Sequence, residues 1–254
     1  MFLLSLAKPF ARGLSYSVTA VCKHWHLQPE EVTVSIVLWI SWASSTWLAF
    51  ALSLLFIEIG ETGEVSWLQA MLGGSLINVG QWLALRSHLR RPSRWIVTTN
   101  LAWLLLCLVH LGAVGWVVPN TPNLLLRGIF GVLYGSYAGL GVGLSQWWSL
   151  KGQLRAAAWR WIPLSAGLWA VSIAFAWMLG GWLRAASGLF LGEAIGLMMG
   201  WGAIAALSGF GIVALLYGYP PIFQRAGDSS KRAFAADKSN ASGSKSPYRS
   251  SNST

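Results

Sequence analysis

Charge is what this 254-residue chain has least of. Asp, Glu, Lys and Arg together make up 10% of it, and only eight residues are acidic, whereas an ordinary soluble domain is about one quarter charged. Catalysis needs acids, bases or nucleophiles that converge on one point. None of the usual signatures is present: no HExxH, no GxSxG, no Walker loop, no paired Asp. The expectation is a protein with no catalytic residues, no cofactor and no metal. Cysteine is equally sparse. Cys22 and Cys107 cannot make a disulfide framework and have no metal-ligand spacing. A cleavable signal peptide is not expected, because Lys8 and Pro9 end the opening apolar run too early.

What the chain has in excess is apolar surface. Hydrophobic residues make up 55%, with 17 Trp and 28 Gly, and several apolar runs exceed the ~18 residues that mark a membrane helix. The expected fold is all-α, an integral membrane bundle of six transmembrane helices over residues 32–57, 67–85, 95–117, 124–150, 161–182 and 190–216. Residues 1–31 would form a cytoplasmic segment, either interfacial or poorly ordered, residues 32–217 the membrane domain, and residues 218–254 a disordered cytoplasmic tail without Leu or Val. The net charge of +10 points to anionic lipid and away from nucleic acid, because the basic residues sit in short loops between apolar runs.

Charge placement supports six crossings. Lys8, Arg12, Lys23, Arg86, Arg90, Arg91, Arg94, Lys151, Arg155, Arg160 and the six basic residues of the tail fall on one side, leaving only Arg127 and Arg184 on the other. The positive-inside rule then places both termini in the cytoplasm, of a bacterial inner membrane or an internal photosynthetic one. The loop residues Arg86, Arg90, Arg91, Arg94, Lys151, Arg155 and Arg160 are the expected contacts to anionic headgroups. Trp82, Trp95, Trp147, Trp148, Trp159 and Trp161 would form an aromatic belt at that face, with Trp67, Trp116 and Trp182 at the other.

A repeat organises the chain. Gln81-Trp82, a basic loop and Trp95-Ile96 return as Gln146-Trp147, a second basic loop and Trp161-Ile162. Gln81 and Gln146 are 65 apart, Trp95 and Trp161 66 apart, and Trp103 and Gly115-Trp116 match Trp169 and Gly181-Trp182. Such a period implies parallel hairpins over about residues 67–117 and 124–182, with a half repeat at 188–217. Gly131, Gly135, Gly139 and Gly143 recur every four residues, as do Gly188, Gly192, Gly196 and Gly200, and Gly74 falls in matching register. These stripes predict close helix packing, the fourth helix against the sixth or the second.

Polar residues inside apolar runs are functional candidates. Asn78 and Asn100 would bond across the first hairpin, and Gln81 and Gln146 to helix ends or loop carbonyls. His110 would sit in mid-span, bonded to a carbonyl, and Glu193 would pair with Arg127 or snorkel to water.

The Gln-Trp, Leu-Arg, Trp-Ile and Gly-Trp pattern over about residues 70–217 resembles a group of multi-pass membrane proteins of photosynthetic and other filamentous bacteria. They carry tandem Gln-Trp…Leu-Arg hairpins and a shorter terminal copy. Lys151, where Arg is common, and Ser208-Gly209 depart from that pattern. The resemblance implies a topology and no reaction. The function expected is a non-enzymatic scaffold or assembly factor of a membrane complex; the alternative is a small-solute channel or transporter.

Overall fold

The computed structural model describes residues 29–61 and 65–217; the expectations for the N-terminal segment before Pro29 and for the tail lie outside them. Six helices follow one another: α1 (Pro29–Ser53), α2 (Trp67–Leu85), α3 (Pro92–Leu108), α4 (Leu124–Leu154), α5 (Trp161–Ser187) and α6 (Leu191–Leu216). A 3-10 segment, Arg155–Arg160, leads from α4 into α5. Two-residue strands β1 (Gly60–Glu61) and β2 (Val117–Val118) pair in parallel and pin the α1–α2 link to the α3–α4 link.

Among the described residues the fold is all-helical apart from that pairing, and four stretches are long and apolar enough to cross a membrane: Val32–Ser53, Leu124–Leu154, Ala157–Ser187 and Leu191–Leu216. α2 and α3, with 19 and 17 residues, do not join them. Gln69, Ser75, Asn78 and Gln81 dilute α2, and α3 is short and carries Arg94, Thr98, Thr99 and Asn100.

Local chemistry sets the helix ends. Ser66 and Gln69 form a capping box at the start of α2. Pro92 occupies the first turn of α3, where its missing N–H costs nothing. Asn123 Oδ1 accepts from the N–H groups of Leu125 and Leu126 at the start of α4. Gly188, at φ 71°, ends α5 in the left-handed conformation. It therefore terminates a helix and is no member of the α6 packing stripe.

The third helix is shorter than the sequence predicts. It stops at Leu108, and His110 takes φ 59° while Leu111 N–H reaches back to Leu106 O at 2.7 Å. That six-to-one bond around a left-handed residue is a Schellman turn, and residues 109–116 fold back as an irregular link. Apolarity alone carried the expected span past Gly112 and Gly115. His110→Gly is expected to stabilise the protein by about 1 kcal/mol, because the left-handed conformation strains any residue with a Cβ. A thermal-melting rise of a few degrees checks this; a fall would show that the imidazole holds the link.

Each helix packs against its chain neighbour, and α6 packs against α1, so the six close into a ring. Three α1 indoles make the closure: Trp39 Nε1 donates to Ala206 O at 2.9 Å, Trp42 Nε1 to Ser208 Oγ at 2.9 Å, and Trp47 Nε1 to Met198 O at 3.0 Å. An indole has one donor and a large apolar body, so each bond fixes a helix contact and buries area together.

The glycine stripe of α4 meets α5, not α6 or α2 as the stripes alone suggested. Backbone or Cβ atoms of Ala174, Ala170, Trp169 and Ser165 lie so close that an added Cβ at Gly131, Gly135, Gly139 or Gly143 would stand within 3 Å of them. Gly192, Gly196 and Gly200 of α6 press on the other side of α5, against Leu183–Arg184, Gly180 and Ala176. α5 accepts both faces because it has its own small residues on each. Gly74 faces the Trp103 ring across the α2–α3 hairpin.

The Trp belts also need correction. Trp95, Trp161 and Trp116 are fully buried, so they cannot lie among headgroups. Trp67, Trp148, Trp159 and Trp182 are exposed, as a belt requires.

Candidate functional site

The ring interior is built in layers. Along α1, α3 and α5 the inward face reads Trp42-Thr46-Phe50, Trp95-Thr99-Trp103 and Trp161-Ser165-Trp169, each at spacing four, and all nine residues are buried. Spacing four stacks side chains on one helix face. The returning helices supply a matching set: Ile77, Gln81 and Leu85 on α2; Val142, Gln146 and Leu150 on α4; Ile204, Ser208 and Ile212 on α6, again all buried.

One layer is polar. Gln146 Nε2 donates to Gln81 Oε1 at 3.2 Å, and Trp161 Nε1 donates to Gln146 Oε1 at 2.8 Å. Trp42 Nε1 makes the same kind of bond to Ser208. The two glutamines therefore bind each other and an indole, not helix ends or loop carbonyls. They line a small cavity of about 20 Å³ with Thr99, Ser165 and Ser208, room for one water. Thr99 Oγ1 is buried without a protein partner and can bind such a water. Amides, hydroxyls and indole N–H groups do not titrate near neutral pH, so the layer offers hydrogen bonds and no acid–base pair. Beyond it lies an aromatic layer: Trp103 and Trp169 with ring centres 6.0 Å apart, Trp169 and Trp201 at 5.4 Å, Phe50 stacked on Trp201 at 4.9 Å.

The two asparagines cross the first hairpin separately. Asn78 Nδ2 donates to Ile96 O at 2.9 Å, and Asn100 Oδ1 accepts from Ser75 Oγ at 3.0 Å; they do not bond each other. His110 is not in mid-span. It is exposed on the link after α3 and lines a cleft of about 380 Å³ with Trp67, Cys107, Tyr134 and Trp177.

At that same end the chain holds its one buried ion pair among the described residues. Arg127 Nη1 lies 2.8 Å from Glu193 Oε2 and Nη2 2.8 Å from Oε1, with side chains 4% and 0% exposed. Arg127 also donates to Thr121 O at 2.6 Å and Trp177 O at 3.2 Å. Arg184, partly exposed, reaches Glu61 at 3.2 Å and Glu193 at 3.6 Å. Gly180 and Gly181 make room for the pair: an added Cβ would stand 2.7 Å from Glu193 Oε2 or 2.8 Å from Arg127 Cδ. A guanidinium held by a carboxylate and two carbonyls is fully committed to structure.

At the opposite end the two basic loops meet. Gln153 Nε2 donates to His88 O at 2.9 Å, and Arg90 N–H donates to Gln153 Oε1 at 3.1 Å. Arg86 stacks on Trp82 at 5.8 Å, and Lys151 sits 3.7 Å from the Trp148 ring centre and 5.0 Å from that of Trp147. Arg90, Arg91 and Arg94 line one cleft with Ser149 and Gln153. Arg160 is exposed; the Arg155 side chain lies outside the described set.

The sequence carried unused signals for this interior. Thr46, Thr99 and Ser165 each stand four residues after a Trp and four before an aromatic, a pattern hidden because α1 falls outside the two matched hairpins. No family model, no curated protein and no solved structure matches this chain.

Proposed function

We propose that the chain is a non-enzymatic integral membrane protein that crosses the bilayer six times, with both termini in the cytoplasm, and scaffolds or assembles a membrane complex. The single observation behind this reading is where the side chains go. Indoles fill the ring, the one buried ion pair among the described residues is closed internally, and large apolar residues such as Val37, Leu48, Val97, Leu125 and Val171 stand exposed around the outside. A surface of that kind suits lipid and other membrane helices.

The proposal extends to the repeats. α2–α3 and α4–α5 are parallel hairpins, and α6 followed by α1 serves as the third, cut open by the chain ends. Its support is the matched burial of Gln81, Gln146 and Ser208 and of Trp95, Trp161 and Trp42, and the like bonds Trp161–Gln146 and Trp42–Ser208. The short helices α2 and α3 cross as a hairpin whose polar groups are paired, Asn78 with Ile96 O and Ser75 with Asn100, which removes much of the penalty of placing them in hydrocarbon.

The amide–hydroxyl layer on the ring axis favours the alternative of a small-solute channel or transporter. Purification in mild detergent separates the two. A stoichiometric membrane-protein partner that dissociates on substitution of exposed apolar residues supports scaffolding. A homogeneous particle that passes small solutes in liposomes, and loses that passage on Gln146→Leu, rejects it.

A further inference from the structure

We infer that the cleft between the two basic loops is a specific seat for a phosphate-bearing anion, gripped by Arg90, Arg91 and Arg94. The cleft measures about 290 Å³ and lies between the link after α2, the first turn of α3 and the last turns of α4. That is near the low end of small-molecule sites, about 300–1,000 Å³, and suits one phosphate group with its immediate substituents.

Not every basic residue of the loops is available to it. Arg86 lies over Trp82 and Lys151 over Trp147 and Trp148, which holds these side chains against ring faces outside the cleft. The three cleft arginines have no carboxylate partner among the described residues, where ion pairs involve only Arg127 and Arg184. Three exposed arginines on one cleft give it a positive potential that favours an anion there. Their planar forks match phosphate oxygens two at a time.

The walls are held in advance. Gln153 ties the α4 end to both His88 O and Arg90 N–H, and Thr98 and Ser149 bond at 2.7 Å between α3 and α4. A site fixed before its ligand arrives loses less freedom on binding. Diffuse attraction of loops to a charged surface needs no such construction.

The inference rests on the reading that the 86–94 loop lies at a membrane face, where a phospholipid headgroup is the nearest phosphate. Free phosphate has the same chemistry, so the test separates the two sources. Full-length protein in neutral detergent is mixed with dioleoyl phosphatidylglycerol or dioleoyl phosphatidylcholine and examined by native mass spectrometry. Retention of phosphatidylglycerol should fall at least tenfold in R90Q/R91Q/R94Q and stay within twofold in R86Q/K151Q/R160Q, which removes the same three charges outside the cleft. R91Q alone should lose at least threefold, and keeps the test open if the triple variant does not fold. Radiolabelled inorganic phosphate that binds wild type but not R91Q, with phosphatidylglycerol retention equal in the two, makes the seat a soluble-phosphate site and removes the lipid as its occupant. Equal loss in the two variant sets, or equal retention of the two lipids, overturns the seat. A reporter at Arg91 on the outer face would remove the six-crossing reading and the inner-face placement of the loop, whereas the cleft's preference for phosphate is read separately in detergent.

Discussion

Glu193→Ala is expected to destabilise the protein by about 3–5 kcal/mol, a fall in melting temperature on the order of 10 °C. The carboxylate is fully buried and meets both Arg127 Nη atoms at 2.8 Å. Removing it leaves a guanidinium that still satisfies Thr121 O and Trp177 O but has lost its counter-charge in a place water does not reach. The cost is chiefly that stranded charge. Removing both partners should therefore be milder: R127L/E193L is expected to recover most of the loss, since a buried pair replaced by apolar groups is often neutral. Thermal melting in one detergent compares the three. A double variant no more stable than Glu193→Ala would show that the site fails through lost packing, not through an unpaired charge.

Gly139→Leu is expected to cost about 2–3 kcal/mol, or roughly 5–10 °C. A Cβ there would stand 2.7 Å from Ser165 O and 2.7 Å from Trp169 Cβ, so the larger side chain must push α5 away from α4. Trp169 belongs to the aromatic layer, and its displacement reaches Trp103 and Trp201. Val132, exposed on the outer side of α4, is the control: Val132→Leu should change little. A Gly139→Leu protein that melts with the wild type would mean that α4 does not rest on α5.

Period and polarity told most of the fold. α2 runs over the residues its apolar run predicts, and four of the expected spans coincide with helices long and apolar enough to cross a membrane. Three things were hidden. The end of α3 depends on one left-handed residue, His110, at a position more often filled by Gly, and no hydropathy pattern marks it. The partner of the α4 glycines depends on α5 carrying small residues at Ser165, Ala166, Ala170 and Ala174, which reads as ordinary apolar sequence until the two faces are opposed. The position of Trp95 and Trp161 depends on which way a helix is turned, and that of Trp116 on the irregular link after α3. A Trp near a loop suits a headgroup belt or a core equally well by depth, and the Thr or Ser four residues later in two of them was the clue to the core. Ring closure was hidden for a different reason: α1 and α6 are the chain's two ends, so the pairing of Trp42 with Ser208 spans 166 residues and no local pattern predicts it.

The proposal that the ring crosses the membrane six times is tested most directly by where residue 91 lies. α2 and α3 are the helices whose length and hydropathy do not by themselves declare a crossing, and Arg91 stands between them. Reporter fusions after Glu61, Arg91, Asn120 and Gly152 should read outside, inside, outside and inside. A fusion after Arg91 that reads outside, with Glu61 and Asn120 unchanged, would leave four crossings and contradict the ring of three parallel hairpins.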